Sequence, residues 1–555
     1  MSNRSASVGI ITTIAAVVAL TTPAVATAAP LQEKSFPAGA AVDVVAKHEG
    51  ALPTSKEPVS ITAHDGVKLS AYLLRPTTKG KFPVVVMPGS WSMNRSEYLV
   101  KAKEMAARGF IVVSYTSRGF WESGGQIDIM GEDTQRDVSD VIDYALKQPG
   151  ADSAKVGVVG ISYGGGAGLL AAARDRRVKA VSSMSGFADL KESFYPNKTI
   201  SSSAMSLLVK LGSMTGRPAP VLKEAQAKLE ALDIPAAEAF LEKLSATRSA
   251  SNKVKEINAN GAAILIAHGT DDSFFPVNTM TDFYDRLTVP KRMLLAGGDH
   301  AIPDIPGLIG LPSDSWETTL AWMDHHLRGV ANGVNTEPPA EAILANTRKG
   351  RSAKTVKGLV RQQSVSYLTG VNGDDRQPTG ALVGKPSSGW NSSIYTGKGT
   401  VADSGTLLIS GALQGIAQLP PLASMPLVDR TAGGVWLGEP LQKGAVVAGA
   451  PTVKMTVTPT KPNTTLFFYL YDVDKAGMGG LITAHPYTLW GATPGKPQTI
   501  TVRMSAEHWE IKNGHRFGLV VDTKDPRWHS SSVEGGAVTF SSPKGAESSL
   551  TVPLG

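Results

Sequence analysis

The chain has 555 residues, 42% of them apolar and 19% charged, with a formal net charge of +7 and no cysteine. That length exceeds one ordinary domain, and that apolar fraction supports packed cores and excludes a disordered chain. The absence of cysteine excludes a disulfide framework, a thiolate nucleophile and a cysteine-ligated metal centre; with no block of Lys and Arg, the positive charge reads as a solvated surface and not as a nucleic-acid footprint.

The first thirty residues, MSNRSASVGIITTIAAVVALTTPAVATAAP, place Arg4 before an apolar run from Gly9 to Leu20 and end in small residues. The run is shorter than the ~20 residues of a membrane span. A charged start, a short apolar core and an A-x-A site near Ala28 and Ala29 predict a signal peptide over residues 1–29. The expected product is secreted, with no stable membrane insertion after cleavage.

Residues 30–332 form the next expected unit, an α/β domain. The runs FPVVVMPG, FIVVSYT, VGVVG, VKAVSSMSG, AAILIAHG and RMLLAGG are short, apolar and closed by glycine or polar residues. Near-continuous apolar strands imply burial on both faces of a parallel sheet. Helical spacing between them predicts helices over Tyr98 to Ala107, Asp133 to Lys147 and Asn278 to Leu287, and SDSWETTLAWMDHHLRG predicts the helix that closes the domain. Residues 189–251 interrupt the alternation with helical patterns and no strand signal, so they read as a helical cap inserted above the sheet. From residue 333 to 555, Gly, Pro, Ser and Thr punctuate short runs such as VKMTVTP, TLFFYLYDV, QTITVRM and RFGLVVDT. They predict an antiparallel all-β sandwich without helices.

The chemistry centres on Gly160-Ile161-Ser162-Tyr163-Gly164, a G-x-S-x-G pentapeptide between an apolar strand and a small-residue helix. In that context the glycines permit a sharp turn that leaves the serine hydroxyl accessible, and the helix N-terminus adds partial positive charge beside it. A serine needs an oriented base, and on such a sheet acid and base follow on later strand-end loops. Asp271 and Asp272 follow AILIAHG, and Asp272 is preferred as the acid with Asp271 its rival; His300 follows RMLLAGG and is the expected base. His268 sits directly at a strand end, where a packing or loop-supporting role fits better, while His325 and His326 lie within a helix. The backbone N–H of Tyr163 is one expected oxyanion donor. Pro88 lacks an N–H, so the second is expected from Ser90 or Trp91.

Four stretches resemble the cocaine-esterase and Xaa-Pro dipeptidyl-peptidase group of α/β hydrolases. They are GISYGG around Ser162, SRGFWESGGQ from Ser117, LAWMDHHLRGVANGV from Leu320, and VVAGAPTVKMTVTP together with HWEIKNGHRFGLVVDTKDPRWH. The last pair looks like that group's C-terminal jelly-roll domain. By position the resemblance implies Ser162 as nucleophile, Asp272 as acid and His300 as base. The chain departs from the group at Thr116, where an Asp is common, and in MPGSWSMNR, where Trp91 stands near the place of an oxyanion-binding tyrosine.

The expected function is a secreted serine hydrolase that opens ester or amide bonds of a small-molecule or peptide acyl substrate through an acyl-enzyme. Alternatives are an Xaa-Pro dipeptidyl peptidase, with cap acids Glu224, Glu230, Glu238 or Glu242 available for a substrate ammonium, and an exported acyltransferase. A non-catalytic binding protein would instead use Trp390, Trp436, Trp490, Trp509 and Trp528 of the sandwich as a sugar platform. No cofactor or metal is expected: DDRQ and DVDKAG lack a calcium-loop pattern, and no phosphate-binding loop occurs. No sequence feature sets an oligomeric state.

Overall fold

A computed structural model describes residues 51–231, 233–370 and 379–555. The expected signal peptide and the DDRQ fragment lie outside the described residues. A ten-stranded sheet runs in the order β1-β2-β4-β3-β5-β6-β7-β8-β9-β10. Its strands are β1 (Thr54–Thr62), β2 (Lys68–Pro76), β3 (Phe82–Pro88), β4 (Ile111–Tyr115), β5 (Ala151–Ile161), β6 (Val178–Met184), β7 (Ala263–Gly269), β8 (Lys291–Ala296), β9 (Ala340–Ile343) and β10 (Gly350–Ala353). Every pairing from β4 to β9 is parallel, while β1, β2 and β10 pair antiparallel at the two edges.

The apolar runs are continuous because β4 and β7 are buried along their whole length, with helices covering both faces. Helices Leu99–Ala107, Glu132–Leu146 and Val277–Arg286 lie within about a residue of the predicted spans. The closing helix Asp314–Met323 continues into a wider turn, Asp324–Arg328, and stops at Gly329 in the left-handed region. Between β6 and β7 the chain is helical. Ser202–Thr215, Pro220–Ala231 and Ile234–Arg248 form the cap.

Two findings differ from the sequence reading. Strands β9 and β10 lie beyond the expected boundary at 332/333 yet join the catalytic sheet, β9 through Met293 opposite Ala340. At four residues each they are too short for alternation to signal them. The C-terminal unit also contains a helix, Ile409–Ala417, where none was expected; its Gly411 and Gly415 lowered the apparent helical propensity.

Among the described residues, fourteen strands join in the C-terminal unit. Its central strand Thr464–Val473 is buried at every position. Leu466, Phe468 and Leu470 point into one core, and Phe467, Tyr469 and Tyr471 into another. Period-two alternation between two cores is why TLFFYLYDV reads as one apolar run.

Candidate active site

Parallel strands bring their carboxyl ends to one rim, and the loops after β3, β5, β7 and β8 meet there. Ser162 makes the turn from β5 into helix Tyr163–Arg174 with φ 55° and ψ −119°. A serine in that region stores strain of ~1–3 kcal/mol, held by its surroundings. The turn is possible because two neighbours lack side chains: a Cβ on Gly160 would sit 2.3 Å from the carbonyl carbon of Gly164, and one on Gly164 would sit 2.1 Å from Pro88 O.

His300 lies between the two other candidates. Its Nε2 is 2.8 Å from Ser162 Oγ and its Nδ1 is 2.9 Å from Asp272 Oδ2. Asp272 Oδ1 accepts from the backbone N–H groups of Phe274 at 3.0 Å and Phe275 at 2.8 Å. Burial pushes the Asp272 carboxyl up, but the His300 charge and these hydrogen bonds outweigh it and hold the group below its ordinary value. For His300, burial pulls down while Asp272 raises, and the net shift is upward. The imidazole is flanked by Phe274 and Phe275, with ring centroids 4.8 Å and 5.1 Å away.

The rivals fall elsewhere. Asp271 faces Arg527 of the C-terminal unit at 3.5 Å. His268 is buried, its Nε2 donating to Phe275 O at 2.8 Å, so it supports the acid loop from beneath. Ser90 is a correction: its N–H is committed to Glu97 Oε2 at 2.8 Å and is not available to an oxyanion. In the same loop Gly89 N–H donates to Tyr115 O. Trp91 stays at the site, edge-on to Tyr163 at 5.4 Å between ring centroids, with its indole N–H donating to Leu208 O of the cap.

Sequence reasoning left Asp299 without a role and passed over Glu97. Asp299 is fully buried; its Oδ1 accepts from Ser273 N and Oγ and from His300 N, while its Oδ2 accepts from Leu408 N. The base loop is therefore tied both to the acid loop and to the C-terminal unit. Its adjacency to His300 at a strand end was the available signal. Beside Ser162 opens a cleft walled by Trp91, Phe187, Leu208, Leu222, Phe240 and Phe275, among others.

Other candidates have structural partners. Arg118 of the SRGFWESGGQ stretch is buried between Asp137 and Asp65. Trp436 and Trp509 are buried, Trp390 Nε1 donates to Leu368 O, Trp490 Nε1 to Lys198 O, and Trp528 stacks on Phe467. These rings pack the sandwich and its border with the cap, and form no sugar platform. In DVDKAG, Asp474 Oδ1 caps its own hairpin turn through Ala476 N and Met478 N.

The sheet order, the strained serine turn and the hydrogen-bonded histidine define an α/β hydrolase of the serine type. The family model for X-Pro dipeptidyl-peptidase (S15 family) matches residues 65–302, and that for the X-Pro dipeptidyl-peptidase C-terminal non-catalytic domain matches residues 332–532. The two models together cover most of the chain, which belongs to the X-Pro dipeptidyl-peptidase (S15) family of serine hydrolases. It is 33% identical over 173 residues to the quorum-quenching protein AidA of Acinetobacter baumannii, a match covering 30% of this chain and 56% of that protein. The chain thus spans little more than half of this curated relative. An aminopeptidase from a marine sediment Thaumarchaeota archaeon shares the fold with a TM-score of 0.70 at 14% identity, covering 95% of this chain and 99% of that one. An alpha-amino acid ester hydrolase does so with 0.68 at 14%, covering 94% and 100%.

Proposed function

We propose that the protein is an exported hydrolase that cleaves an acyl bond through Ser162, His300 and Asp272. The observation that carries this reading is the unbroken relay from Ser162 Oγ to His300 Nε2 and from His300 Nδ1 to Asp272 Oδ2. Export rests on the reading of residues 1–29; among the described residues no helix is long and apolar enough to cross a membrane.

In the first half-reaction His300 Nε2 takes the hydroxyl proton as Ser162 Oγ bonds to the substrate carbonyl carbon. Asp272 keeps the imidazole in the Nδ1–H tautomer and stabilises the imidazolium. The carbonyl oxygen becomes an oxyanion, received by the N–H of Tyr163 and, from the loop after β3, the N–H of Trp91. Collapse breaks the bond to the leaving group, which departs with the proton from His300. Water then repeats the sequence on the acyl-serine, with His300 again as base, and releases the acid.

The test is turnover of p-nitrophenyl esters, with fluorophosphonate labelling as a second readout. Ser162→Ala is expected to lose labelling and about 10⁴-fold or more in kcat; unchanged turnover would remove the reading. A mixed-acceptor assay with an added alcohol separates the hydrolase from the acyltransferase reading, which transesterification in preference to hydrolysis would favour.

A further inference from the structure

We propose that the substrate's acyl part is a neutral, apolar group of medium chain length, and not an amino-terminal dipeptide. This rests on the reading of Ser162 as nucleophile. The cleft beside Ser162 Oγ is the place an acyl group must occupy once bonded to that oxygen, and its walls are aliphatic and aromatic. Trp91 comes from the loop after β3, Phe187 from the loop after β6, Leu208, Leu222 and Phe240 from the cap, and Phe275 from the acid loop.

A dipeptide with a free amino terminus would bring an ammonium into this space. A buried ammonium needs an acceptor of opposite charge or a set of carbonyls. Tyr163 is the one ionisable residue among those lining the cleft besides Ser162, and its hydroxyl is already held by Met130 N. The four cap acids singled out in the sequence face other partners. Glu224 is 3.5 Å from Lys228, Glu230 accepts from Gln226, and Glu238 and Glu242 both face Lys191.

The roof is also held at a set height. A Cβ on Gly212 of the first cap helix would sit 2.9 Å from Trp91 Cζ2, so the helix rests directly on the indole. The Trp91 N–H bond to Leu208 O ties the same two elements together at 2.9 Å. The lining runs from Ser162 to Leu222, Phe240 and Leu244 of the cap, so an acyl chain longer than acetyl can lie along an apolar wall.

The test measures kcat/KM on p-nitrophenyl acetate, butyrate, hexanoate and decanoate, and on alanyl-prolyl p-nitroanilide. Each buried methylene is expected to raise kcat/KM by roughly fourfold until the cleft is filled, so hexanoate should exceed acetate by on the order of 10². The anilide should fall below every ester. Leu208→Trp fills the cleft and should collapse the hexanoate-to-acetate ratio; Phe240→Ala enlarges it and should move the optimum toward decanoate. Fluorophosphonate labelling of Ser162 shows which variants are folded, and one folded variant suffices. Labelling with a flat or falling chain-length series, an anilide turned over faster than hexanoate, or an unchanged ratio in a folded variant would overturn this inference alone. A protein that is neither labelled nor active on any ester would overturn the nucleophile reading and this inference with it.

Discussion

Ser90 and Glu97 are joined twice: Ser90 N–H donates to Glu97 Oε2 at 2.8 Å, and Ser90 Oγ meets Glu97 Oε1. The same Oγ lies 2.9 Å from Ile161 O, the residue before the nucleophile. One hydroxyl hydrogen cannot serve two acceptors. A proton on Glu97 balances the count, and burial pushes that carboxyl up to about 7 against its hydrogen bonds from Ser90. Glu97→Gln reproduces the protonated form, with its carbonyl accepting from Ser90 N–H and its amide donating to Oγ. Near-wild-type kcat is expected at neutral pH, whereas Glu97→Ala leaves the Ser90 N–H unpaired at a cost of ~1–3 kcal/mol in unfolding free energy. A Gln variant as unstable as the Ala variant would contradict the proton count.

In the proposed reaction His300 is the base, and its shift sets the pH dependence. The base must be neutral, and Asp272 outweighs burial to lift its pKa above the ordinary 6.5. kcat/KM is therefore expected to rise with pH through one ionisation whose midpoint lies above that value. Asp272→Asn should move the midpoint down and cost about 10⁴-fold in kcat. A midpoint unmoved in that variant would show that another group titrates.

Stability should carry a separate signature from Glu507, a buried carboxyl that accepts from Thr270 Oγ1 at 2.7 Å and from His508 N. Burial lifts it from an ordinary 4.5 to about 8. Below pH 4.5 both folded and unfolded chains hold the proton. Between about 4.5 and about 8 only the folded chain does, so its contribution to stability is lost progressively as pH rises through that window. Glu507→Gln keeps the shape without the ionisation. Its melting temperature should fall less between pH 5 and pH 8 than that of the wild type; parallel curves would exclude Glu507 as a source of the decline.

Gly411 marks where the unexpected helix meets the base loop, since a Cβ there would lie 2.2 Å from Asp299 Cβ. Gly411→Ala should push the helix off, break the Leu408 N–H bond to Asp299 Oδ2 and let the His300 loop shift. Misplacement of a catalytic group by about 1 Å costs up to 10²-fold, so a fall in kcat on the order of tenfold is expected, read by steady-state kinetics with Ser162 labelling rate as a parallel measure. Wild-type kcat would show that the loop holds its position without this contact.

The reach of sequence reasoning followed the physics of each signal. Long apolar strands and the glycine-flanked Ser162 announce themselves because burial and backbone strain restrict which residues can stand there. Asp272 and His300, the proposed acid and base, were marked by their order along the chain and their loop positions, and the structure brings both within hydrogen-bonding reach of the Ser162 chain. Local pattern failed where the determinant was a distant partner. Ser90 fits an oxyanion loop until Glu97 takes its N–H, strands β9 and β10 exist because β8 offers an edge, and the helix at Ile409–Ala417 is stabilised by packing on Asp299 and Ile302 rather than by propensity.

Leu408, Glu507 and Arg527, all outside the hydrolase sheet, grip Asp299, Thr270 and Asp271 on the two loops that present the acid and the base. The chain's two halves are consequently coupled through these contacts. A chimera that exchanged the C-terminal half for a foreign one lacking those three contacts would keep Ser162, Asp272 and His300 without the grip on the loops that present them.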